Sequence, residues 1–505
     1  MQKNKHKKRP VGYNAPILVL YLLWVGLYAC TPLKQGYNPA EKIAPEKLKA
    51  DAILLRKILE ANHPSLYWYT PKDSMDVYFA QTINNLTDSL TELQFRNRIA
   101  ALVAKIRCGH TAVRSSRNYA KYYGTHRLPQ FPLAIKAWGD DSLVVLNNAI
   151  KSDTVFKRGT IITAINGLPN STLLAPMLNT IGTDGYANNF RYQIVSIYFP
   201  MFYQMIVGLK DSNVISYIDS RGMEKTAVLK NYNPAADTLK THPNAFVPYT
   251  KPTRKQIKAA RKRNSTVLSF DSSNTAYMRL TTFSGTGLRK LFRSSFRKIK
   301  ERKAKNLVID LRENGGGNIG ASTNLTRYVI QHPFTTADTV AAISRKLAYG
   351  RYIRPAWLYK AIMLVTTQKQ QDGKYHFGTL EHHVFTPKGR LHFNGNVYIV
   401  QGSFTFSAAS MFVARLKGQQ NVTIVGEETG GGSYGNSSVH LPTIVLPNTR
   451  LEVIMPLYRI VTDATKEKAG RGILPDVAVP PSAKAIRDGI DIKMQKVKEL
   501  IKSKH

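Results

Sequence analysis

The stretch NLVIDLRENGGGNIGAST, residues 306–323, decides the fold class of this chain. It predicts a buried strand, a glycine-rich turn and the start of a helix. A strand pattern at 274–283 and a basic amphipathic helix pattern at 288–305 come before it. The apolar positions of that helix share one face, namely Leu288, Leu291, Phe292, Phe296 and Ile299. Strand, helix and strand in this order predict an α/β layer with parallel pairing.

The same pattern returns toward the C-terminus and extends the predicted layer. A strand NVYIVQ at 396–401 precedes a helix predicted over 407–417, and the strand VTIVGE follows at 422–427. The tail, 482–503, is predicted as one further helix. We therefore expect an α/β core over residues 266–505.

Two other parts precede this core. Residues 46–124 carry helical periodicity, with a capping-box spacing that begins at Thr91. Residues 125–250 are predicted to form a small β-rich module, in which RGTIITAINGLPNSTLL indicates a strand at 161–165, an Asn–Gly turn and a short helix. Residues 251–265 hold seven basic residues and no acid, which is typical of a solvated linker.

The N-terminus has the features of a secretory signal. A basic segment, 1–13, precedes an apolar run, 17–28, that is shorter than the roughly 20 residues a spanning helix needs. The run closes on Ala29 and Cys30, which resembles a bacterial lipobox and implies lipid attachment at Cys30. A plain signal peptide or an anchor helix is the alternative. We expect a signal at 1–29, a polar tether at 30–45, and an envelope lipoprotein facing the periplasm or the outer-membrane surface.

Charge and cysteine content narrow the class of partner. The net charge is +40, from 72 Lys and Arg against 32 Asp and Glu, which is compatible with nucleic acid. A secretory signal argues against a nucleic-acid partner and leaves anionic lipid headgroups or surface glycans as neighbours. If Cys30 carries lipid, Cys108 remains as the other cysteine, so a disulfide is not expected.

The glycine-rich turn at 313–317 can bring backbone N–H groups close to an anion. A phosphate loop would end in Lys followed by Ser or Thr, and this turn does not, so nucleotide binding is not expected. An oxyanion site for a tetrahedral intermediate suits the same geometry.

A candidate nucleophile lies in QGSFTFSAAS, residues 401–410, where Ser407 begins a predicted helix. Ser407 is either an ordinary helix cap or a nucleophile held at a helix N-terminus. His110 is the candidate base, on a loop just past the capped helix. A cysteine nucleophile at Cys108 is disfavoured, because residues two apart rarely place thiolate and imidazole for attack. The histidines at 376, 382, 383 and 392 lie in a polar stretch that lacks the pattern of a metal site.

Five motifs together resemble those of the tail-specific or C-terminal processing peptidases and their tricorn-like relatives. They are GHT at 109, DLRENGGG at 310, SFTFSAAS at 403, VGEETGGG at 425 and GRGILPDVAV at 470. The resemblance covers nearly the whole mature chain. It implies a crotonase-like α/β core, a PDZ-like β-rich module and a serine endopeptidase or carboxyl-terminal processing peptidase that acts on envelope proteins or peptides. A peptidase-fold lipoprotein that only binds peptides or scaffolds envelope proteins is the alternative.

The resemblance also implies roles for individual residues. Ser407 matches the nucleophile, His110 the histidine of the tricorn-like branch, and the N–H groups of Gly316 or Gly317 and of Ala408 the oxyanion hole. The lysine of the other branch corresponds to Gly432, which excludes a Ser–Lys dyad. No metal or cofactor is implied.

Two positions depart from the tricorn-like pattern. Gly109 stands where relatives have serine, and Gly470 lies near the position of their glutamate, with Asp463 and Glu467 as the nearest acids. Either acid is a candidate for orienting the imidazole. The substrate is expected to add as a strand near the run that begins Gly430, Gly431 and Gly432.

Overall fold

The computed structural model of the chain describes residues 36–126, 128–236 and 267–503. The predicted signal at 1–29, the lipid site at Cys30 and the basic linker at 251–265 lie outside the described residues. The chain from Glu41 onward forms one compact unit. The domain boundaries at 124 and 250 therefore remain predictions about folding units.

The N-terminal part is helical, as predicted, and contributes three short strands to sheets. Its elements are β1 (Lys42–Ile43), α1 (Pro45–Asn62), α2 (Lys72–Asn84), β2 (Leu90–Thr91), α3 (Glu92–Ala104), β3 (Ala112–Arg114) and α4 (Arg117–Thr125). The capping box at the start of α3 is confirmed, because the Thr91 side chain accepts from the Gln94 N–H and the Gln94 side chain accepts from the Thr91 N–H.

The β-rich module is a sheet in the order β4–β5–β6–β8–β9, with helices against it. Its elements are β4 (Leu133–Trp138), β5 (Ser142–Asn148), β6 (Ile161–Ile165), β7 (Leu168–Pro169), α5 (Asn170–Leu178), α6 (Asn188–Ile197), α7 (Phe199–Phe202), a π-helical turn (Tyr203–Val207), β8 (Ser212–Ile218) and β9 (Glu224–Lys230). The predicted strand at 161–165, the turn and the short helix are confirmed; Asn166 and Gly167 both have positive φ, as such turns require.

The remaining residues build the large C-terminal part. Its elements are β10 (Val267–Phe270), β11 (Ala276–Arg279), α8 (Leu288–Glu301), β12 (Asn306–Asp310), α9 (Ile319–Thr326), β13 (Thr339–Ala342), a 3₁₀ turn (Gly350–Tyr352), β14 (Ile353–Arg354), α10 (Ala356–Thr366), β15 (Gln368–Lys369), β16 (Tyr375–His376), α11 (Gly378–His382), β17 (Asn396–Gln401), α12 (Ala408–Leu416), β18 (Val422–Gly426), β19 (Gly435–Ser438), β20 (Thr443–Val445), β21 (Glu452–Ile454), β22 (Tyr458–Val461), β23 (Val477–Ala478), α13 (Ala483–Asp488) and α14 (Ile492–Ser503).

The predicted α/β layer is a six-stranded sheet in the order β10–β11–β12–β17–β18–β23, parallel except between β10 and β11. Alternate residues of β12 face opposite sides: Ile309 packs with residues of α8, α9 and α12, and Val308 packs with α14. Helices therefore cover both faces, which explains why the strands are apolar throughout. The tail prediction was wrong in one respect, because Gly489, at φ +69°, separates α13 from α14.

A second set of sheets joins the first and last thirds of the chain. Strand β3 pairs with β21, with Val113 opposite Val453, in a four-stranded sheet in the order β14–β20–β21–β3. A five-stranded sheet in the order β15–β16–β13–β22–β19 lies in the same C-terminal part. One apolar cluster contains residues of α1, α3, β20 and β22 together. This shared core brings the loop that precedes β3, and with it His110, to the C-terminal part.

None of the described helices within 36–503 combines the length and the apolar character that crossing a membrane requires.

Candidate active site

Ser407 lies at a strained turn directly before α12. Its backbone has φ +54° and ψ −124°, a combination that residues with a side chain rarely adopt. Its hydroxyl makes no capping hydrogen bond to the helix, so the simple helix-cap interpretation is wrong. The buried Ala408 and Ala409 anchor the helix start beneath it. A strained turn at a helix N-terminus is the geometry that exposes nucleophilic serines in hydrolases.

The glycine-rich loop between β12 and α9 lies directly against this turn. A Cβ atom on Gly316 would be 2.7 Å from Cβ of Ser407 and 3.0 Å from the backbone nitrogen of Ala408. Gly316 has φ +95° and Gly317 φ +137°, so glycine is required at both positions. The glycine-rich loop and the Ser407 turn are therefore in direct contact.

The N–H groups of this loop need one correction to the predicted oxyanion hole. The N–H of Gly316 donates to Oδ1 of Asn314 at 2.9 Å, so it is already engaged. The Gly317 and Ala408 N–H groups have no hydrogen-bond acceptor among residues 36–126, 128–236 and 267–503. Gly317 and Ala408, and not Gly316, are the donors that an oxyanion can use.

The predicted substrate-binding run at 430–432 has a different role. All three glycines are buried, and the N–H groups of Gly430 and Gly431 both donate to the Thr405 carbonyl at 3.1 Å. The N–H of Gly432 faces Oδ2 of Asp184 at 3.4 Å. These glycines support the Ser407 turn from below and offer no free edge to a peptide, so the assignment of Gly430, Gly431 and Gly432 to substrate binding was wrong.

His110 lies in the loop between α3 and β3 and packs against the ring of Phe406, with ring centroids 4.8 Å apart. Its Nδ1 is buried and has no hydrogen-bond partner in the described part of the chain. Nε2 is therefore the nitrogen that can face the cavity. Burial lowers the pKa of His110 to about 4, because the charged imidazolium loses its hydration. The ring is neutral at pH 7 and can accept a proton.

One cavity of about 730 Å³ joins these groups. Ser407, His110 and the 315–317 loop line it, together with apolar side chains that include Ile319, Phe377 and Leu441. No hydrogen bond between the Ser407 and His110 side chains occurs in this structure. The three segments are nearly 300 residues apart at the extremes, and the fold brings all of them to one cleft.

Neither predicted orienting acid pairs with the imidazole. Asp463 accepts hydrogen bonds from Thr465 and forms an ion pair with Lys466 at 3.4 Å, while Glu467 is exposed. Neither lines the cavity that contains His110. The unpaired Nδ1 of His110 agrees with this arrangement, since no described carboxylate reaches it.

Asp184 is a buried carboxyl group that sequence reasoning missed. Its Oδ1 accepts the N–H of Gly109 at 2.9 Å, and its Oδ2 lies at 3.4 Å from the N–H of Gly432. Burial raises the pKa of Asp184 to about 7, against the lowering effect of these two amides. The Asp184–Gly185 dipeptide predicts a turn, and nothing in the local pattern links it to His110.

The loop around Asp184 belongs to the module and lies on the loop of His110. The N–H of Gly185 donates to the carbonyl of Arg107 at 3.0 Å, and a Cβ on Gly182 would lie 2.6 Å from the carbonyl oxygen of Cys108. The neighbouring Gly109 has no room for a side chain, because its Cβ would be 2.5 Å from Cζ of Phe406. Phe406 therefore accounts for glycine at this departure from the tricorn-like pattern.

A second imidazole, missed by sequence reasoning, lines the same cavity. His440 follows Val439, whose φ of +71° is unusual for a β-branched residue. The His440 ring lies 5.3 Å from that of Tyr359 and 5.5 Å from that of Tyr458. Burial lowers the pKa of His440, so the ring is neutral at pH 7.

The remaining candidates have structural roles. Cys108 is buried, and burial with the nearby Asp184 raises the pKa of its thiol to about 12, which excludes a thiolate nucleophile at neutral pH. His376 binds Glu381 at 2.9 Å and Asp372 at 3.2 Å. Within the described ranges, no group of three or more His, Cys, Asp or Glu side chains is arranged to hold a metal ion.

Comparison with known proteins gives a family match for the C-terminal part and a shared fold for most of the chain. Residues 274–479 match the family model described as Peptidase family S41. Mature CPAF in complex with lactacystin has a similar fold, with a TM-score of 0.63 at 13% identity, covering 90% of this chain and 98% of that chain. Another structure of mature CPAF gives a TM-score of 0.62 at 13% identity, with coverage of 90% and 97%.

The tricorn protease gives a TM-score of 0.38 at 12% identity and covers 90% of this chain and 36% of that chain. No curated protein sequence matches the chain. The family match spans the glycine-rich loop and the Ser407 turn. Residues 274–479 therefore match the peptidase family S41, and the match identifies this part of the chain as a serine-type peptidase domain.

Proposed function

We propose that this peptidase cleaves proteins or peptides of the cell envelope, internally or near their carboxyl ends, with Ser407 as the nucleophile and His110 as the general base. The observation that carries the proposal is the strained Ser407 turn, which lies in one cavity with His110 and the 315–317 loop. The pairing of Ser407 with His110 is the one that the resemblance to the tricorn-like branch implies.

In the first step the Ser407 hydroxyl attacks the peptide carbonyl carbon while Nε2 of His110 takes its proton. The oxygen of the tetrahedral intermediate accepts hydrogen bonds from the N–H groups of Gly317 and Ala408. His110 then protonates the leaving amine, which leaves an acyl group on Ser407. Water, deprotonated by His110, attacks this ester, and His110 returns the proton to the Ser407 oxygen as the second product leaves.

The imidazole is held by packing rather than by a carboxylate. Its ring lies on Phe406, which itself stacks on Phe190 of the module with centroids 4.6 Å apart. Asp184 fixes the backbone of the preceding residue, Gly109. In many hydrolases the acidic residue of the catalytic triad orients the imidazole ring. Here we propose that the contact with Phe406 and the hydrogen bond from Gly109 to Asp184 orient the ring of His110.

The substrate occupies the cleft beside β19, the edge strand of its sheet. The segment that continues β19, residues 438–441, lines the same cavity as Ser407. Apolar side chains at Ile319, Phe377 and Leu441 favour substrates with an apolar side chain near the scissile bond.

We also propose that the chain has a crotonase-like core and a PDZ-like insert, and that it is a lipoprotein of the cell envelope. A parallel sheet covered on both faces supports a crotonase-like core, and the module sheet with its short helix α5 supports a PDZ-like insert. The basic and apolar segments before Cys30 support an envelope lipoprotein. Mass spectrometry of the mature N-terminus, with lipid on Cys30 as the expected result, tests the location.

The catalytic assignment is tested with a serine-reactive fluorophosphonate. The wild-type chain should form an adduct on Ser407 and cleave an unstructured casein substrate. Ser407→Ala should lose both, and His110→Ala should lose cleavage, each with an unchanged circular dichroism spectrum. Ser403→Ala is a matched control on the same loop. A Ser407→Ala variant that still cleaves casein at the wild-type rate refutes the assignment. A wild-type chain that forms no adduct supports a peptide-binding lipoprotein instead.

A further inference from the structure

A second cavity, of about 420 Å³, lies against α9, and four cationic side chains line it. These are Arg289, Arg293, Arg327 and Lys388, and no carboxylate lines it. Gly320 is shared with the Ser407 cavity, but the catalytic groups are not. We call this the four-cation cavity.

Three separate segments bring the cations together. Arg289 and Arg293 are one turn apart on α8, and Nη2 of Arg289 lies 3.7 Å from where a Cβ of Gly320 would be. Arg327 follows α9, and its Nε donates to the Thr386 carbonyl at 2.8 Å. The N–H of Lys388 donates to the Arg327 carbonyl at 2.6 Å. The fold itself therefore holds these like charges close.

The cluster carries uncompensated positive charge. Within the part of the chain that the structure describes, none of the four cations forms an ion pair with a carboxylate. The pKa of Lys388 is lowered, first by burial and then by repulsion from Arg327, Arg289 and Arg293. Arg289 and Arg293 are exposed, so water screens part of this repulsion, and a bound anion would offset the rest.

Neutral hydrogen-bonding groups complete the lining. Asn324 lines the cavity, and the NH₂ group of its side-chain amide carries two N–H donors that a phosphate oxygen can accept. Thr323 adds a hydroxyl group. The aromatic rings hold the cations in place: Nζ of Lys388 lies 5.6 Å from the ring centroid of Tyr328, and Cζ of Arg327 lies 6.0 Å from that of Phe385.

We propose that the four-cation cavity binds a phosphate group, supplied either by a soluble phosphate or by a lipid headgroup. A phosphate offers several oxygens and up to two negative charges, and guanidinium forks bind such oxygens in pairs. A single carboxylate would offset only one of the four charges. The proposal does not depend on the peptidase mechanism, since none of these side chains touches Ser407 or His110.

Isothermal titration calorimetry of the full chain in detergent, with inorganic phosphate and with pyrophosphate, tests the proposal. Arg293→Glu should weaken binding of the phosphate probes by at least about tenfold, since it reverses one charge inside the cavity. Lys298→Glu is the matched control, because it makes the same charge change at an exposed position of α8 outside the cavity. It should change the affinity by less than about twofold. Circular dichroism establishes that both variants are folded.

Flotation with vesicles distinguishes a soluble phosphate from a lipid headgroup as the source of the bound phosphate group. Phosphatidylcholine vesicles with about one-fifth phosphatidylglycerol are compared with pure phosphatidylcholine. Vesicle binding that falls in Arg293→Glu and not in Lys298→Glu identifies a lipid phosphate as the source, whereas calorimetric binding alone identifies a soluble phosphate. The proposal is overturned if neither probe binds the wild-type chain, if both variants lose binding equally, or if hexaglutamate binds in the cavity and phosphate does not.

Discussion

The backbone N–H of Gly109, the residue before His110, donates a 2.9 Å hydrogen bond to Oδ1 of Asp184 in the β-rich module. The other oxygen of this buried carboxyl group faces the N–H of Gly432. Asp184 thus ties the loop of the proposed base to the glycine run beneath the Ser407 turn. We infer that Asp184 is a positioning residue for the active site.

Removal of this carboxyl group should impair catalysis without impairing substrate binding. Asp184→Ala leaves the part-buried Gly109 N–H without its acceptor, which costs roughly 1–3 kcal/mol of the interaction that holds this loop in place. We therefore expect kcat to fall about tenfold or more with little change in KM. Asp184→Asn keeps an oxygen acceptor and should recover most of the activity. Steady-state kinetics on a casein peptide measure both values. Asp211→Ala, an exposed position of the module, should behave like wild type. Wild-type kinetics for Asp184→Ala would contradict the positioning role.

The pH dependence of catalysis should reflect the buried environment of His110. The ring must be neutral to accept the Ser407 proton, and burial lowers its pKa from 6.5 to about 4. We therefore expect kcat/KM to persist below pH 6.5 and to fall only as the pH approaches about 4. A pH–rate profile, with circular dichroism at each pH to exclude unfolding, measures this. An acidic limb centred at pH 6.5 would show that the working imidazole is hydrated.

Enlargement of Gly316 should disrupt the Ser407 turn. The added Cβ of Gly316→Ala would lie 2.7 Å from both the Ser407 Cβ and the Phe406 carbonyl oxygen, at a φ of +95° that alanine disfavours. We expect loss of fluorophosphonate labelling and a decrease of roughly 1–3 kcal/mol in the free energy of unfolding. Gly139→Ala is the control, because no atom lies within 4 Å of its Cβ position and its φ is not positive. Normal labelling of Gly316→Ala would mean that the two loops separate easily.

Acid should destabilise the N-terminal part through His63. This buried ring accepts the Ser65 N–H at Nδ1 and contacts the Thr111 hydroxyl at Nε2, and burial lowers its pKa from 6.5 to about 3. Below pH 6.5 His63 is protonated in the unfolded chain, whereas in the folded chain it stays neutral until the pH approaches 3. The free energy of unfolding is therefore unaffected by His63 above pH 6.5 and decreases as the pH falls from 6.5 toward 3. The slope is up to about 1.4 kcal/mol per pH unit.

Urea unfolding at several pH values between 6.5 and 3 measures this contribution. His63→Gln does not titrate, so its stability should fall less steeply with acid than that of the wild type, even if it is less stable at pH 7. Parallel stability curves for the two proteins would assign the acid sensitivity to other groups.

Local pattern predicted the elements of the C-terminal part well, for a physical reason that particular residues illustrate. The strand at 306–310 is apolar at every central position because helices cover both of its faces, and the helix at 288–301 shows its buried stripe in Leu288, Phe292 and Phe296. Such patterns depend only on neighbours in sequence. The division of the tail was missed, since Gly489 ends α13 by a left-handed conformation that the periodicity does not reveal.

The assignments of functional residues also fall into those that a local pattern predicts and those that depend on contacts formed on folding. Short motifs indicate Ser407 and the glycine-rich loop as parts of a candidate site. The sequence does not show which backbone N–H groups of these segments lack an acceptor. The Gly316 N–H is engaged by Asn314 and those of Gly430 and Gly431 by Thr405, contacts that exist only after folding. Asp463 and Glu467 lie near the expected position in the sequence, but neither lines the cavity that contains His110.

The sequence by itself determined the α/β layer and the peptidase motifs of residues 274–479, and it singled out Ser407 as the candidate nucleophile, because each of these depends on short local patterns. Only the tertiary structure decided that Asp184 holds the loop of His110, that Phe406 supports its ring, and that four cations share one cavity. These relationships join segments from the front, middle and end of the chain. Their geometry is set by the pairing of β3 with β21 and by the packing of the module against the core, which no local pattern contains.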